Sequence, residues 1–136
     1  MKSDPKECLY CQNNETLHNL MIEIAQLSVS RVFLFKEQTY RGRCLVSYKD
    51  HVNDLNELSD EDRNAFMADV ARVTRAMQKA FQPEKINYGA YSDKLSHLHF
   101  HLAPKYVDGP DYGGIFQMNP GKVYLLSLIH ISEPTR

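Results

Sequence analysis

The apolar residues Phe66, Val70, Val73, Met77 and Phe81 recur at intervals of three and four, which sets them on one stripe of a helix. Ser59-Asp60-Glu61-Asp62 has the form of that helix's N-terminus, a capping hydroxyl followed by acids in the first turn. Pro83 ends it. The Phe and Met side chains of the stripe read as core. On either side the pattern changes to short strand-like runs. Residues 20–27 and 31–36 are two of them, joined by Ser28-Val29-Ser30, and Gly42 opens a third over residues 43–49. Residues 85–91 and a run beginning at His97 supply two more. The Gly/Pro punctuation of residues 108–114 marks a loop. With no internal repeat, low-complexity tract or domain boundary, these elements add up to one α+β domain with about five strands and one long helix.

The last of those runs, His97-Leu98-His99-Phe100-His101-Leu102-Ala103, alternates histidine with apolar residues. On a strand this period of two puts three imidazoles on one face and Leu98, Phe100 and Leu102 on the other. Half of the chain's six histidines stand in those five positions. Histidine titrates near neutrality, so such a face can exchange protons, attack an electrophile or bind a metal.

Composition narrows the partners. Sixteen basic and seventeen acidic side chains leave a net charge of −1, which gives no polyanion-binding surface and so no expected nucleic-acid partner. No apolar run is long enough to span a bilayer, and the first residues lack the apolar core of a signal peptide. Three cysteines, two of them in Cys8-Leu9-Tyr10-Cys11, suit a reduced compartment better than a disulfide framework. The expected placement is cytoplasmic. The two-residue gap between Cys8 and Cys11 lets both thiolates reach one metal ion, or makes them a redox pair. His51, directly after the third strand, and the imidazole at the entry of the histidine run can complete a Cys2His2 zinc tetrahedron that ties the N-terminus to the sheet. Cys44, inside a strand, reads as a small core residue.

Residues 126–136 match, residue for residue, the in-frame translation of a transposase-type sequencing adapter. They are therefore expected to be a non-native tail, with a single native domain over residues 1–125 and no role for His130.

The segment His97 to Lys105 resembles the signature strand of the histidine-triad (HIT) family, in which three histidines alternate with apolar residues and a Pro-basic pair follows. Gly42 to His51 is similar to the family's strand that ends in a basic-x-His step, Leu58-Ser59-Asp60-Glu61 to its helix start, and Ile86-Asn87 to its penultimate strand. The resemblance covers roughly residues 8–105 and is nearest to zinc-binding, CxxC-containing bacterial members akin to diadenosine polyphosphate hydrolases. It implies a HIT-like fold with a mainly antiparallel sheet. It also implies a nucleotide hydrolase or nucleotidyltransferase acting at the α-phosphate of small nucleotide conjugates, and a homodimer.

By the same resemblance, His99 is the nucleophile that forms a nucleotidyl-histidine, and His101 contacts the phosphate. Cys8, Cys11, His51 and His97 hold one structural Zn2+, and Asn87 hydrogen-bonds near the phosphate or the catalytic imidazole. The segment Ser92-Asp93-Lys94-Leu95-Ser96 departs from the Gly-Gln-Ser/Thr pattern of the phosphoramidate-hydrolysing branch, so Lys94 or Ser96 takes the phosphate contact in its place. Glu37 is the acid to which ribose binding would fall. Two other classes remain open: a non-catalytic nucleotide-binding or scaffold protein, and a metal-dependent hydrolase in which the three strand histidines hold a catalytic ion.

Overall fold

The computed structural model describes residues 5–91, 93–94 and 96–124. The expected tail, residues 126–136, lies outside them, as do Ser92 and Leu95 of the loop before the histidine run. A five-stranded antiparallel sheet is built from β1 (Met21–Gln26), β2 (Ser30–Phe35), β3 (Cys44–Tyr48), β4 (Lys85–Gly89) and β5 (His99–Lys105), in the order β1-β2-β3-β5-β4. β5 therefore lies inside the sheet between β3 and the edge strand β4, with Ser47 opposite His99 and Leu45 opposite His101. The α+β class and the strand count agree with the expectation.

Helix α3 (Asp60–Phe81) forms where the stripe places it, with the Ser59 hydroxyl accepting from the Asp62 N–H as N-cap. Phe66, Val70, Val73 and Met77 pack on the sheet face formed by Val32, Leu34, Cys44, Val46, Tyr48, Ile86, Leu98 and Leu102. This is the main core. A charged residue interrupts the helix's buried side: Asp69 accepts from the Ser28 hydroxyl, the Val29 N–H and the Ser30 hydroxyl, so the helix also fastens the β1–β2 turn.

The opposite face carries the odd-numbered residues of β2, β3 and β5. Two short N-terminal helices, α1 (Leu9–Gln12) and α2 (Glu15–Leu20), cover part of it, and Tyr10 and Leu17 join Phe33, Phe35 and Leu45 in a second core. Neither helix shows in the sequence pattern, because four and six residues are too short for a periodic stripe. Tyr40, Ala103 and Phe116 form a third, smaller cluster on the same face. Gly42 enters β3 from a turn at φ +90°, where an added Cβ would stand 2.6 Å from the Phe81 ring, so both conformation and space call for glycine.

Candidate functional site

β5 presents His99 and His101 from one face, both buried, with ring centroids 5.1 Å apart. His97 lies just before the strand and not on it. Its neighbour Leu98 donates to the Val52 carbonyl and accepts from the Tyr48 N–H, so the chain bends there and the His97 ring turns toward the N-terminus. The Tyr10 ring packs against both imidazoles, 5.3 Å from His97 and 5.2 Å from His99. The single strand face expected for all three rings is thus a strand pair plus one ring beyond its end.

Hydrogen bonds assign the protons. The Tyr48 carbonyl can only accept, so His97 donates to it through Nε2 at 2.7 Å and carries its lone pair on Nδ1. That Nδ1 lies 3.1 Å from Cys8 Sγ and 3.5 Å from Cys11 Sγ, and His51 Nδ1 lies 3.4 Å from Cys11 Sγ. The four ligand atoms all fall within 4.8 Å of one another. Tetrahedral zinc, with Zn–S near 2.3 Å and Zn–N near 2.0 Å, requires S···N edges of about 3.5 Å. The donor set and its spacing fit that ion. Cys8 is also the N-cap of α1, its Sγ accepting from the Cys11 N–H, so the helical turn itself brings the two sulfurs together. Arg31 holds the turn to the sheet by donating to the Tyr10 carbonyl, Asn13 and Glu23. Two imidazoles stand with the two sulfurs to complete a four-ligand set, which favours the metal reading of the pair over the redox one.

His99 donates through Nδ1 to its neighbour's carbonyl, that of His97, at 2.6 Å, which leaves Nε2 with a free lone pair. Burial holds this imidazole below its ordinary value, against the pull of that carbonyl, so the ring is neutral at pH 7. His101 accepts on Nδ1 from Arg43 Nη2 at 3.1 Å, and its proton is therefore on Nε2. Burial, then the Arg43 charge and His99, push it down to about 3. Among the described residues, the cluster able to hold a metal contains His97 but neither His99 nor His101. This arrangement speaks against a catalytic ion held by all three.

The remaining expected residues are dispersed. Asn87 sits half-buried on β4 opposite Ala103, on the histidine face and two residues from Gly89, the partner of His101. Ser96 is buried immediately before His97, while Lys94 is exposed. Glu37 is not free to bind a ribose: its buried carboxylate accepts from the Thr39 hydroxyl and N–H and from the N–H groups of Lys122 and Val123. Cys44 is a buried core thiol, as expected, and burial pushes it up to about 12. Arg43 was not singled out by its sequence context, although its alternation with Leu45 and Ser47 places it on the histidine face.

Residues 15–108 match the HIT domain, more than half of the chain and a span that includes His51, Asn87 and the histidine run. The chain belongs to the HIT domain family. The two cysteines of the candidate metal centre lie before the matched span. This HIT-domain chain is 32% identical over 89 residues to the adenosine 5'-monophosphoramidase hnt1 of Schizosaccharomyces pombe, covering 62% of this chain and 64% of that protein. It is 27% identical over 90 residues to protein hit of Bacillus subtilis, covering 62% of each. The chain therefore spans less than two thirds of the length of these curated relatives. Among solved structures, a histidine triad protein from Bradyrhizobium japonicum superposes with a TM-score of 0.76 at 18% identity, over 87% of both chains. A zinc-bound histidine triad family protein from Mycobacterium smegmatis does so with a TM-score of 0.61 at 21% identity, over 77% of this chain and 79% of that one. At these identities the structural likeness establishes the HIT fold.

Proposed function

We propose that this HIT-domain protein is a nucleotide hydrolase or nucleotidyltransferase that acts at the α-phosphate of nucleotide conjugates, either dinucleoside polyphosphates or nucleoside phosphoramidates. The observation that carries the reading is the His99 Nδ1–H donated to the His97 carbonyl, which makes Nε2 a neutral nucleophile at pH 7 that needs no prior deprotonation. Nε2 attacks the α-phosphorus, the bond from phosphorus to the leaving group breaks, and a nucleotidyl-histidine forms. The positive charge gained by the ring faces the carbonyl oxygen that already holds its other nitrogen. His101 donates Nε2–H to a phosphate oxygen, and water or a second acceptor then attacks the same phosphorus to release the nucleotide.

The relative named as a monophosphoramidase supports the phosphoramidate branch. The loop of residues 92–96, which departs from that branch's pattern, supports the polyphosphate branch and a kinship with diadenosine polyphosphate hydrolases. Asn87, Lys94 and Ser96 are the proposed further substrate contacts. Zn2+ at Cys8, Cys11, His51 and His97 would act as a cross-link between the N-terminus and the entry of β5, outside the reacting atoms. A cytoplasmic homodimer belongs to the same reading. Among the described residues no helix is long and apolar enough to cross a membrane.

The test is to incubate the protein with a panel of adenylyl conjugates and dinucleoside polyphosphates, quench in alkali, and look for released nucleotide and a nucleotidyl adduct by mass spectrometry. His99→Ala should fold and lose both. Near wild-type turnover by that variant would overturn the nucleophile assignment. Nucleotide affinity without turnover or adduct in the wild type would favour the non-catalytic binding class.

A further inference from the structure

Arg43 is the largest fully buried side chain of the described residues, with 0% of its surface exposed. A guanidinium removed from water normally faces a carboxylate, yet among the described residues none lies within ion-pair distance of this one. Its partners are of another kind. Nη1 donates to the Gln117 carbonyl at 3.1 Å, Nη2 contacts Met118 Sδ at 3.5 Å, and Nε has no hydrogen-bond partner. The plane is gripped by aromatic rings, with Cζ 4.4 Å from the Phe35 centroid and 5.1 Å from that of Phe116. Burial lowers the group to about 10, which still leaves it charged at pH 7. The Glu37 carboxylate favours the charge from beyond ion-pair distance, and the one polar side-chain partner of Arg43 within the candidate site is His101 Nδ1.

We propose that Arg43 is a positioning residue for the reaction. By donating from Nη2 to Nδ1 of His101, it fixes that imidazole as a neutral ring with its single proton on Nε2. The inference rests on the reading of His101 as the phosphate-contacting residue and deepens it. Guanidinium nitrogens only donate, so the tautomer with hydrogen on Nδ1 would point two hydrogens at each other, and the doubly protonated ring would add a second charge beside the first. Either alternative loses the contact. The two histidines of β5 are thereby given opposite jobs by opposite partners. A carbonyl on Nδ1 of His99 makes its Nε2 a lone pair, and a guanidinium on Nδ1 of His101 makes its Nε2 a donor. The strap of residues 116–118 holds the guanidinium from the other side, so the geometry does not depend on substrate being present.

The experiment combines ring 15N NMR with kinetics on the full chain. In the wild type at pH 7, His101 should show a pyrrole-type Nε2 and a pyridine-type Nδ1. Arg43→Met should lose that signature and lower turnover by about 10²-fold, the scale of a correctly placed proton donor. Arg43→Lys, which keeps a charged donor, should retain the Nε2–H tautomer and recover much of the rate. A merely structural arginine would move stability without moving the tautomer. A wild-type His101 protonated on Nδ1 or on both nitrogens overturns the proposal, as does an Arg43→Met variant with unchanged tautomer and rate. If Arg43→Met fails to fold, the wild-type spectrum decides by itself. Turnover surviving in His99→Ala would instead refute the reaction and leave the tautomer result standing.

Discussion

Replacing Asp69 by alanine tests how the long helix is tied to the sheet. Its carboxylate, 1% exposed, takes hydrogen bonds from Ser28 Oγ at 2.9 Å, the Val29 N–H at 3.0 Å and Ser30 Oγ at 2.8 Å. The three donors are not equally exposed. Ser28 is at the surface and water takes over its bond at almost no cost, whereas Val29 is half-buried and Ser30 is wholly buried. An orphaned buried donor costs about 1–3 kcal/mol, so the half-buried amide and the buried hydroxyl together give a loss of roughly 3 kcal/mol. That is a large part of the 5–15 kcal/mol typical of a domain, and for a chain of this size it corresponds to a fall in Tm of roughly 10 °C. Urea titration should show the midpoint falling with an unchanged slope. Adding Ser30→Ala to Asp69→Ala should recover part of the loss, because the stranded hydroxyl goes with it. A single-variant loss below about 1 kcal/mol, or no recovery in the double variant, would refute the account. Turnover per folded molecule should not change, since Asp69 lies on the helix side of the sheet and the histidines on the other.

The purified protein should carry about one zinc per chain, and Cys8→Ser or His51→Ala should lower metal content and Tm together, because binding energy at a closed site is also folding energy. Equal stability with and without a chelator, in protein isolated without zinc, would overturn the metal centre. Acid should destabilise the fold in a defined window. Burial, then the Arg43 charge and His99, hold His101 down to about 3, against 6.5 in the unfolded chain, so between these values the unfolded state binds more protons. Its contribution is complete above about pH 6.5 and is lost as pH falls toward 3, at up to about 1.4 kcal/mol per pH unit. Urea unfolding across pH 7 to 4 measures it, and a flat profile would count against a buried neutral imidazole at this position.

What the chain discloses in one dimension follows the range of the interaction concerned. Helix α3 was legible because its stripe, its Ser59 cap and the Pro83 stop all act within a few residues, and the alternation in β5 showed which side chains share a face. The sheet order was not legible, since β4 folds back outside β5 through pairings that no local period encodes. The Cys8–Cys11 spacing hinted at its purpose, yet the bend that takes His97 off the strand depends on contacts with Val52 and Tyr48. Arg43 and Asp69 escaped notice for one reason: each is a charged residue at a position where the pattern asks for an apolar one. Such misfits, lying beside Leu45 and Val70, are where a polar network or a site is to be sought.

The candidate site is assembled from distant stretches of chain. Cys8 meets His97 across 89 positions, Cys11 meets His51 across 40, and Arg43 meets Gln117 across 74. Closing the longest of these loops costs roughly 4 kcal/mol of chain entropy, an outlay that the local turns of α1 and the β1–β2 connection avoid. The cysteine pair therefore has its full ligand set only when the entry of β5 is folded against it. The imidazoles of β5 receive their wall only when residues 116–118 follow. A fragment that stopped short of residue 116 would keep the strand histidines and lose the groups that wall the Arg43 guanidinium beside them.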